Sequence, residues 1–529
     1  MGRALSQFNG SLGTGFEGSP SVMELATSFV APARPWDEDG ATCGSIQTTA
    51  NRLEDMSRKW RALPPECFHS CFGCNHGVGC CSSRGKCVRG ICICEHGARG
   101  PDCAEGRDVS SEKTLSSGVR IYVYDLPDEL ALRPYSLRVC QQTDTSMYSA
   151  EQRFLRLLLA DRGVRTENPS EADLFYVPTF TTYGPAGNTG CDRARMLMIQ
   201  RSIATRYPFW SKCDGCDHVF FMTNDRGACG LGPAGANPII VSHWGLLGPY
   251  APMMTEFGMI DGHYVNGSLL EAGMRSGRWC HSPHKDIVVP PYYAHNGRGK
   301  DATSSEKKCL LSFAGGIWGY NNRPHRGRKN LSYYSQGMRQ AIFMRYSQPS
   351  ADRRIQVMEH AAPDSIFSSS EFCLAPSGGG FGIRLMKAAA LNCVPLVAQP
   401  FVVQPFEDLL RYDEFSVRVG HEHVNDLADY LEKKKHGAAS MRRRLHAAHD
   451  AFSWDRNGLA YNYTILALCL RAKELQQGTA TQGKCTQLAA GLPFQSRRLR
   501  VHPHWFPVPL KSAIRSMTAM RNALYRSGV

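Results

Sequence analysis

Glu371-Phe372-Cys373-Leu374-Ala375-Pro376-Ser377-Gly378-Gly379-Gly380-Phe381-Gly382-Ile383-Arg384-Leu385-Met386-Lys387-Ala388-Ala389-Ala390 is the most informative stretch of the chain. An apolar run leads into a glycine loop, and the loop into a run of helix formers. Strand, turn, helix is the repeating unit of a parallel α/β sheet. The same order makes an anion site. The first N–H groups of a helix have no partner within it, and the helix dipole adds positive potential there. Glycines let a diphosphate approach the backbone. Ser377, Gly378, Gly379 and Gly380 are therefore candidate diphosphate-binding residues. Arg384 and Lys387, three apart, can share one helix face beside them, and Arg384 can grip phosphate oxygens with two parallel bonds. A cationic clamp without metal suits a departing nucleoside diphosphate.

Outward from this stretch, short apolar runs alternate with helical patterns. Strands are expected at 120–124, 173–177, 218–222, 238–242, 286–289, 310–313, 372–375, 394–398 and 415–419. Helices are expected at 150–160, with Phe154, Leu155, Leu158 and Leu159 on one face, and at 192–204, 382–391, 424–435 and 441–452. The roughly 350 residues from 119 to 472 exceed one compact core, so two α/β lobes are expected, 119–300 and 301–472. A ligand then belongs in the cleft between them, at the carboxyl ends of the strands. Residues 1–66 are Gly/Ser/Ala-rich without clear periodicity and read as disordered. Residues 104–118 read as a polar linker and 473–529 as a basic tail.

The 529 residues are 42% hydrophobic and 20% charged, as in a globular protein with a large core. Of the net +14, the last 55 residues hold eight Lys and Arg and no acid, which leaves +6 on the rest. The excess belongs to a tail, no nucleic-acid signature accompanies it, and a nucleic-acid partner is not expected. Residues 1–36 contain no 7–15-residue apolar run of the signal-peptide kind. The G-x-G-x-x-G matches at Gly13 and Gly230 do not lie between a strand and a helix. The only D-x-D, Asp37-Glu38-Asp39, lies in the disordered start, so no divalent-metal site for a sugar nucleotide is legible.

Nine of the 21 cysteines fall between Cys67 and Cys103. A segment of about 40 residues so poor in apolar side chains needs cross-links to hold it. Cys71-x2-Cys74 has zinc-ligand spacing, but no second pair sits at zinc-ribbon distance. Cys92-Ile93-Cys94 to Gly100-x2-Cys103 resembles an EGF-like module, the short tenascin type above all. The resemblance implies pairing Cys94 with Cys103, Cys81 with Cys92, and Cys87 with Cys80 or Cys74. It makes 67–103 a small disulfide module with a surface for partner proteins. Disulfides imply an oxidising compartment, with which sequons at Asn9, Asn266, Asn330 and Asn462 are compatible. There Cys213-x2-Cys216 reads as a structural bridge.

Val119-Arg120-Ile121-Tyr122-Val123-Tyr124-Asp125-Leu126-Pro127 resembles the opening of the exostosin-type glycosyltransferase domain. Glu171-Ala172-Asp173-Leu174-Phe175-Tyr176-Val177-Pro178 follows in the family's order. So do Tyr207-Pro208-Phe209-Trp210, Asp217-His218-Val219-Phe220-Phe221-Met222-Thr223-Asn224-Asp225, Lys285-Asp286-Ile287-Val288-Val289-Pro290-Pro291 and Phe313-Ala314-Gly315-Gly316. Phe372-Cys373-Leu374, Pro376, Gly378, Arg384, Cys393-x-Pro395 and Pro405-Phe406 complete it. The resemblance covers about 119–472 and is closest to plant or green-algal members. It implies a GT-B fold of two Rossmann-like lobes facing a cleft. It also implies inverting transfer from a nucleotide sugar, probed best as UDP-sugars, to a polysaccharide or glycoprotein glycan in the lumen of the Golgi, behind a single-pass membrane anchor, with no cofactor and no essential metal. Carried over, Ser377, Gly378, Gly379, Gly380 and Arg384 hold the donor in the C-terminal lobe, with Lys387 a donor-binding candidate on its spacing alone, and the N-terminal lobe takes the acceptor. Asp225, at the carboxyl end of a strand, is the expected base, with His243 similarly placed. Members often carry an acid where Lys387 and Pro400 stand. The rival reading is a non-catalytic carbohydrate- or protein-binding member with a degenerate cleft.

Overall fold

The computed structural model describes, with short gaps inside several spans, residues 46–61, 80–103, 118–126, 130, 146–180, 192–246, 259–264, 281–294, 307–317, 334–359, 364–399, 402–475 and 485–492. Helix α1 (Ile46–Arg61) corrects the expectation of disorder throughout 1–66. Ala50 and Leu53, three apart and fully buried, join the core of the first lobe. A stripe that narrow is lost in a polar composition, which is why periodicity did not show it. Strands β1 (Gly85–Val88) and β2 (Ile91–Cys94) form an antiparallel hairpin. Disulfides join Cys81 to Cys92 and Cys94 to Cys103. The pairing of Cys80 and Cys87 lies outside the described residues, as do Asn266 and Asn330.

The first lobe runs β3 (Ile121–Val123), α2 (Ala150–Ala160), β4 (Arg165–Thr166), β5 (Leu174–Val177), α3 (Asp192–Arg206), β6 (His218–Met222) and β7 (Ile239–Ser242). The short strands β8 (Gly245–Leu246), β9 (Met259–Ile260) and β10 (His263–Tyr264) precede β11 (Ile287–Val288). Six of these form one sheet in the order β11-β7-β6-β5-β3-β4, every pair parallel. Both faces are covered, so the strands are apolar throughout and successive side chains serve opposite cores. Tyr122, Phe175, Val177, Phe220 and Met222 pack toward α1 and α3. Ile121, Val123, Tyr176, Val219 and Phe221 pack toward α2. Asp217 and His218, part of the family motif, are core residues: the buried His218 ring bonds Tyr124 and Asp217.

The second lobe runs β12 (Cys309–Ala314), α4 (Met338–Tyr346), β13 (Ile355–Met358), α5 (Asp364–Ser368), β14 (Ser370–Pro376), α6 (Arg384–Ala390), β15 (Val394–Ala398), β16 (Val402–Val403), β17 (Val417–Arg418), α7 (Leu427–Lys435) and α8 (Ala438–Ala448). Its sheet has the order β13-β12-β14-β15-β17, again all parallel. The chain turns to one side of β12 for β13 and to the other for β14. The carboxyl ends of β12 and β14 therefore flank a topological switch point, where open parallel sheets bind ligands. A disulfide joins Cys373 of β14 to Cys393 beside β15, and another joins Cys213 to Cys216.

Several contacts tie the lobes. Strand β16 pairs antiparallel with β8. Trp454 donates its indole N–H to the Pro290 carbonyl at 2.7 Å. Helix α9 (Ala460–Leu475) packs on the first lobe, where buried Arg471 donates to the carbonyls of Pro283, Lys285 and Asp286, each at 3.2 Å. Assigning all of 301–472 to the second lobe is thus corrected at its end. The tail from 473 is corrected at its start: Cys485 bonds Cys469, and Ala489 and Leu492 are buried. Among the described residues no helix is long and apolar enough to cross a membrane. Asn462 is exposed on the first turn of α9, while Thr464 of its sequon is buried and bonds the Ala460 carbonyl at 2.7 Å.

One buried charge ties the start of α2 to the end of β5. Glu151 accepts from the N–H groups of Thr179 (3.0 Å) and Phe180 (2.8 Å), which fixes Phe180 at a left-handed φ of 48°. Burial lifts the Glu151 carboxyl from 4.5 to about 7, against those bonds and Arg195. The folded protein therefore holds this proton more tightly than the unfolded one. The resulting stability is fully present below pH 4.5 and falls as pH rises toward 7, by roughly 3 kcal/mol at most. Glu151→Gln keeps an acceptor and should flatten this slope. Parallel urea-midpoint profiles for the two proteins between pH 4.5 and 7.5 would refute the assignment.

Candidate active site

The glycine loop follows β14 at the switch point and crosses to the first lobe. Ser377 is fully buried, and its hydroxyl has no hydrogen-bond partner among the described residues. Gly378 donates to the Gly380 carbonyl at 3.1 Å and accepts from the N–H of Ser335 at 2.7 Å. Gly379 borders open space, whereas a methyl group on Gly380 would overlap the backbone carbonyl of Asp225. Asp225, three residues beyond β6, thus sits directly against the loop. Phe381 packs edge-on to Tyr148 at 5.7 Å and to His243 at 4.9 Å.

Tyr148, just before α2, donates its hydroxyl to Asp225 Oδ1 at 2.7 Å and fixes that carboxylate. No local sequence signal marks this tyrosine. His243 follows β7 and is 3% exposed. Its Nδ1 lies 3.0 Å from the Val289 carbonyl, which can only accept, so Nδ1 carries the hydrogen and Nε2 the lone pair. Burial pulls its pKa down to about 4, against that bond, so the ring is neutral near pH 7. Nε2 has no partner among the described residues. His243 lines a narrow crevice between the lobes with Phe381, Leu385, Gln399 and Gln404.

The cations are arranged differently from their spacing. Helix α6 starts at Arg384 rather than 382 and has seven residues, so side chains rather than a long dipole supply the positive wall. Arg384 reaches back to Gly315, after β12, and its guanidinium lies 5.5 Å from the Phe313 ring centre. Lys387, expected beside it on the diphosphate, is instead held by Asp364 at 2.8 Å and lies over Phe367 at 4.2 Å. Burial and Asp364 raise the pKa of Tyr293, from the first lobe, and Arg384 opposes them, so this tyrosine lies near both. The structure therefore brings Asp225 against Gly380 and His243 against Phe381, places Arg384 at Gly315 and Phe313, and ties Lys387 to Asp364. Pro400 lies outside the described residues.

Two parallel α/β lobes thus meet with Asp225 and His243 of the first lobe against Gly380 and Phe381 of the second. The exostosin GT47 domain matches residues 115–434, more than half of the chain, and the chain belongs to this family of glycosyltransferases. It is 28% identical over 332 residues to "Probable glucuronoxylan glucuronosyltransferase IRX7" of Arabidopsis thaliana, covering 60% of this chain and 67% of that one. It is 27% identical over 327 residues to "Probable beta-1,4-xylosyltransferase IRX10L" of the same plant, covering 58% and 69%. The solved structure of TarM aligns over 52% of this chain and 58% of its own, at 8% identity and a TM-score of 0.26, a likeness too slight to bear on the fold.

Proposed function

We propose that this glycosyltransferase has the GT-B arrangement and moves a sugar, with inversion, from a UDP-sugar to a polysaccharide or glycan acceptor in the Golgi lumen. The observation that supports this reading is the close approach of Gly380 to the Asp225 backbone, which brings the candidate base beside the candidate anion-binding loop. In one displacement the acceptor oxygen bonds to the anomeric carbon and its proton passes to Asp225. The bond from that carbon to the diphosphate oxygen breaks, and UDP leaves against the loop N–H groups and Arg384. Arg384 supplies the charge that would otherwise ask for an essential metal. Names of the relatives favour a glucuronosyl or xylosyl unit.

Purified protein should transfer from at least one member of a UDP-sugar panel, equally with and without chelator. Asp225→Asn should lower kcat by about 10²–10⁴ with little change in donor KM. No hydrolysis, transfer or binding of any donor would sink the reading, and loss of activity with chelator its metal-free part. If His243→Gln removes turnover and Asp225→Asn does not, the base is His243.

A further inference from the structure

Tyr148 and Asp225 come from different loops at the carboxyl ends of the first sheet. Tyr148 stands just before α2, and Asp225 three residues beyond β6. The Tyr148 hydroxyl donates to Asp225 Oδ1 at 2.7 Å. From the other direction comes Gly380, on which any side chain would run into the Asp225 backbone. The glycine loop thus sets the backbone of Asp225, and Tyr148 sets its carboxylate. We propose that Tyr148 is a positioning residue for the transfer, its hydroxyl holding the Asp225 carboxylate in the orientation that takes the acceptor proton. This rests on the reading of Asp225 as the base. The acceptor proton passes to Asp225, as above, and Tyr148 keeps its own.

Tyr148 is itself built into place. Its N–H donates to Ser146 Oγ at 3.3 Å, and its ring packs with Trp244, Leu246, Phe381 and Val402, drawn from both lobes. The carbonyl of Met147, one residue earlier, accepts from the Tyr292 N–H at 3.1 Å. Tyr292 is fixed in turn: the Arg153 guanidinium lies 3.6 Å from its ring centre, and its hydroxyl donates to Asp455 Oδ1 at 3.2 Å. One residue later, Ser149 donates its N–H to the Ser146 carbonyl at 2.9 Å. Packing alone does not call for the hydroxyl, since a phenylalanine ring would fill the same place. What the oxygen adds is a hydrogen bond to a charged acceptor, about twice as strong as a neutral one. A carboxylate beyond a strand end otherwise turns about its side-chain bonds. A misplacement of about 1 Å at a reacting group costs on the order of 10²-fold in rate.

The test measures turnover and UDP binding on the full chain. Tyr148→Phe keeps the ring and its edge contact with Phe381 and removes only the hydroxyl. It should lower kcat about 10–100-fold and leave the donor KM and the Kd for UDP unchanged. On an Asp225→Asn background the same change should cost almost nothing further, because both substitutions break one interaction. Wild-type kcat in Tyr148→Phe, with Asp225→Asn impaired, would overturn the proposal and leave the base reading standing. A loss that repeats in full on the Asp225→Asn background would show Tyr148 acting by another path and overturn it too. So would parallel losses of kcat and UDP affinity, the mark of a residue that only supports the glycine loop. Wild-type turnover in Asp225→Asn would overturn the base reading itself, and this role with it.

Discussion

Gly380→Ala is expected to cost about 100-fold or more in kcat/KM. The added methyl group would overlap the carbonyl oxygen of Asp225 and crowd its Cα. Both neighbours are backbone, so no side chain can rotate away. Either the loop or the end of the β6 segment must move by about 1 Å, a displacement that alone costs on the order of 10²-fold when it separates reacting groups. Overpacking adds roughly 1–3 kcal/mol of lost stability. Gly379→Ala is the control, because its methyl group meets nothing within 4 Å and should leave thermal stability unchanged. Wild-type kcat/KM in a folded Gly380→Ala protein would show that the contact is not part of the working site.

The strands were legible because a parallel sheet covered on both faces makes each strand an apolar run. The runs at 218–222 and 394–398 coincide with β6 and β15 residue for residue. Helix α2 was legible because Phe154, Leu155, Leu158 and Leu159 recur at helical spacing and are all buried. Contacts between distant segments left no such trace. Asp225 and Gly380 are far apart in the chain, and nothing near either announces the other. Spacing put Lys387 on the Arg384 face, but could not show that Asp364, from the start of α5, would claim it. Which strand ends meet is decided by sheet order, and the switch point at β12 and β14 exists only once that order is known.

Arg384→Ala is expected to weaken donor binding by about 10²–10³-fold, the effect of losing charge-assisted bonds worth roughly 1.5–3 kcal/mol each. An alanine there should also hold less of the charge that develops on the leaving diphosphate, so kcat should fall along with affinity. Gly315→Ala supplies an independent route to the same site. Gly315 has a φ of 152°, and a methyl group on it would collide with Nη2 of Arg384 and touch the Phe313 ring at 3.5 Å. The guanidinium would have to leave its place over the turn while Arg384 itself remained. Gly315→Ala should therefore weaken UDP in the same direction as Arg384→Ala. Because both changes remove one interaction, the double variant should be little worse than the poorer single one. Strictly additive losses would mean that Gly315 acts on the donor by some path other than Arg384. An unchanged Kd for UDP in a folded Arg384→Ala protein would remove the diphosphate from this wall of the cleft.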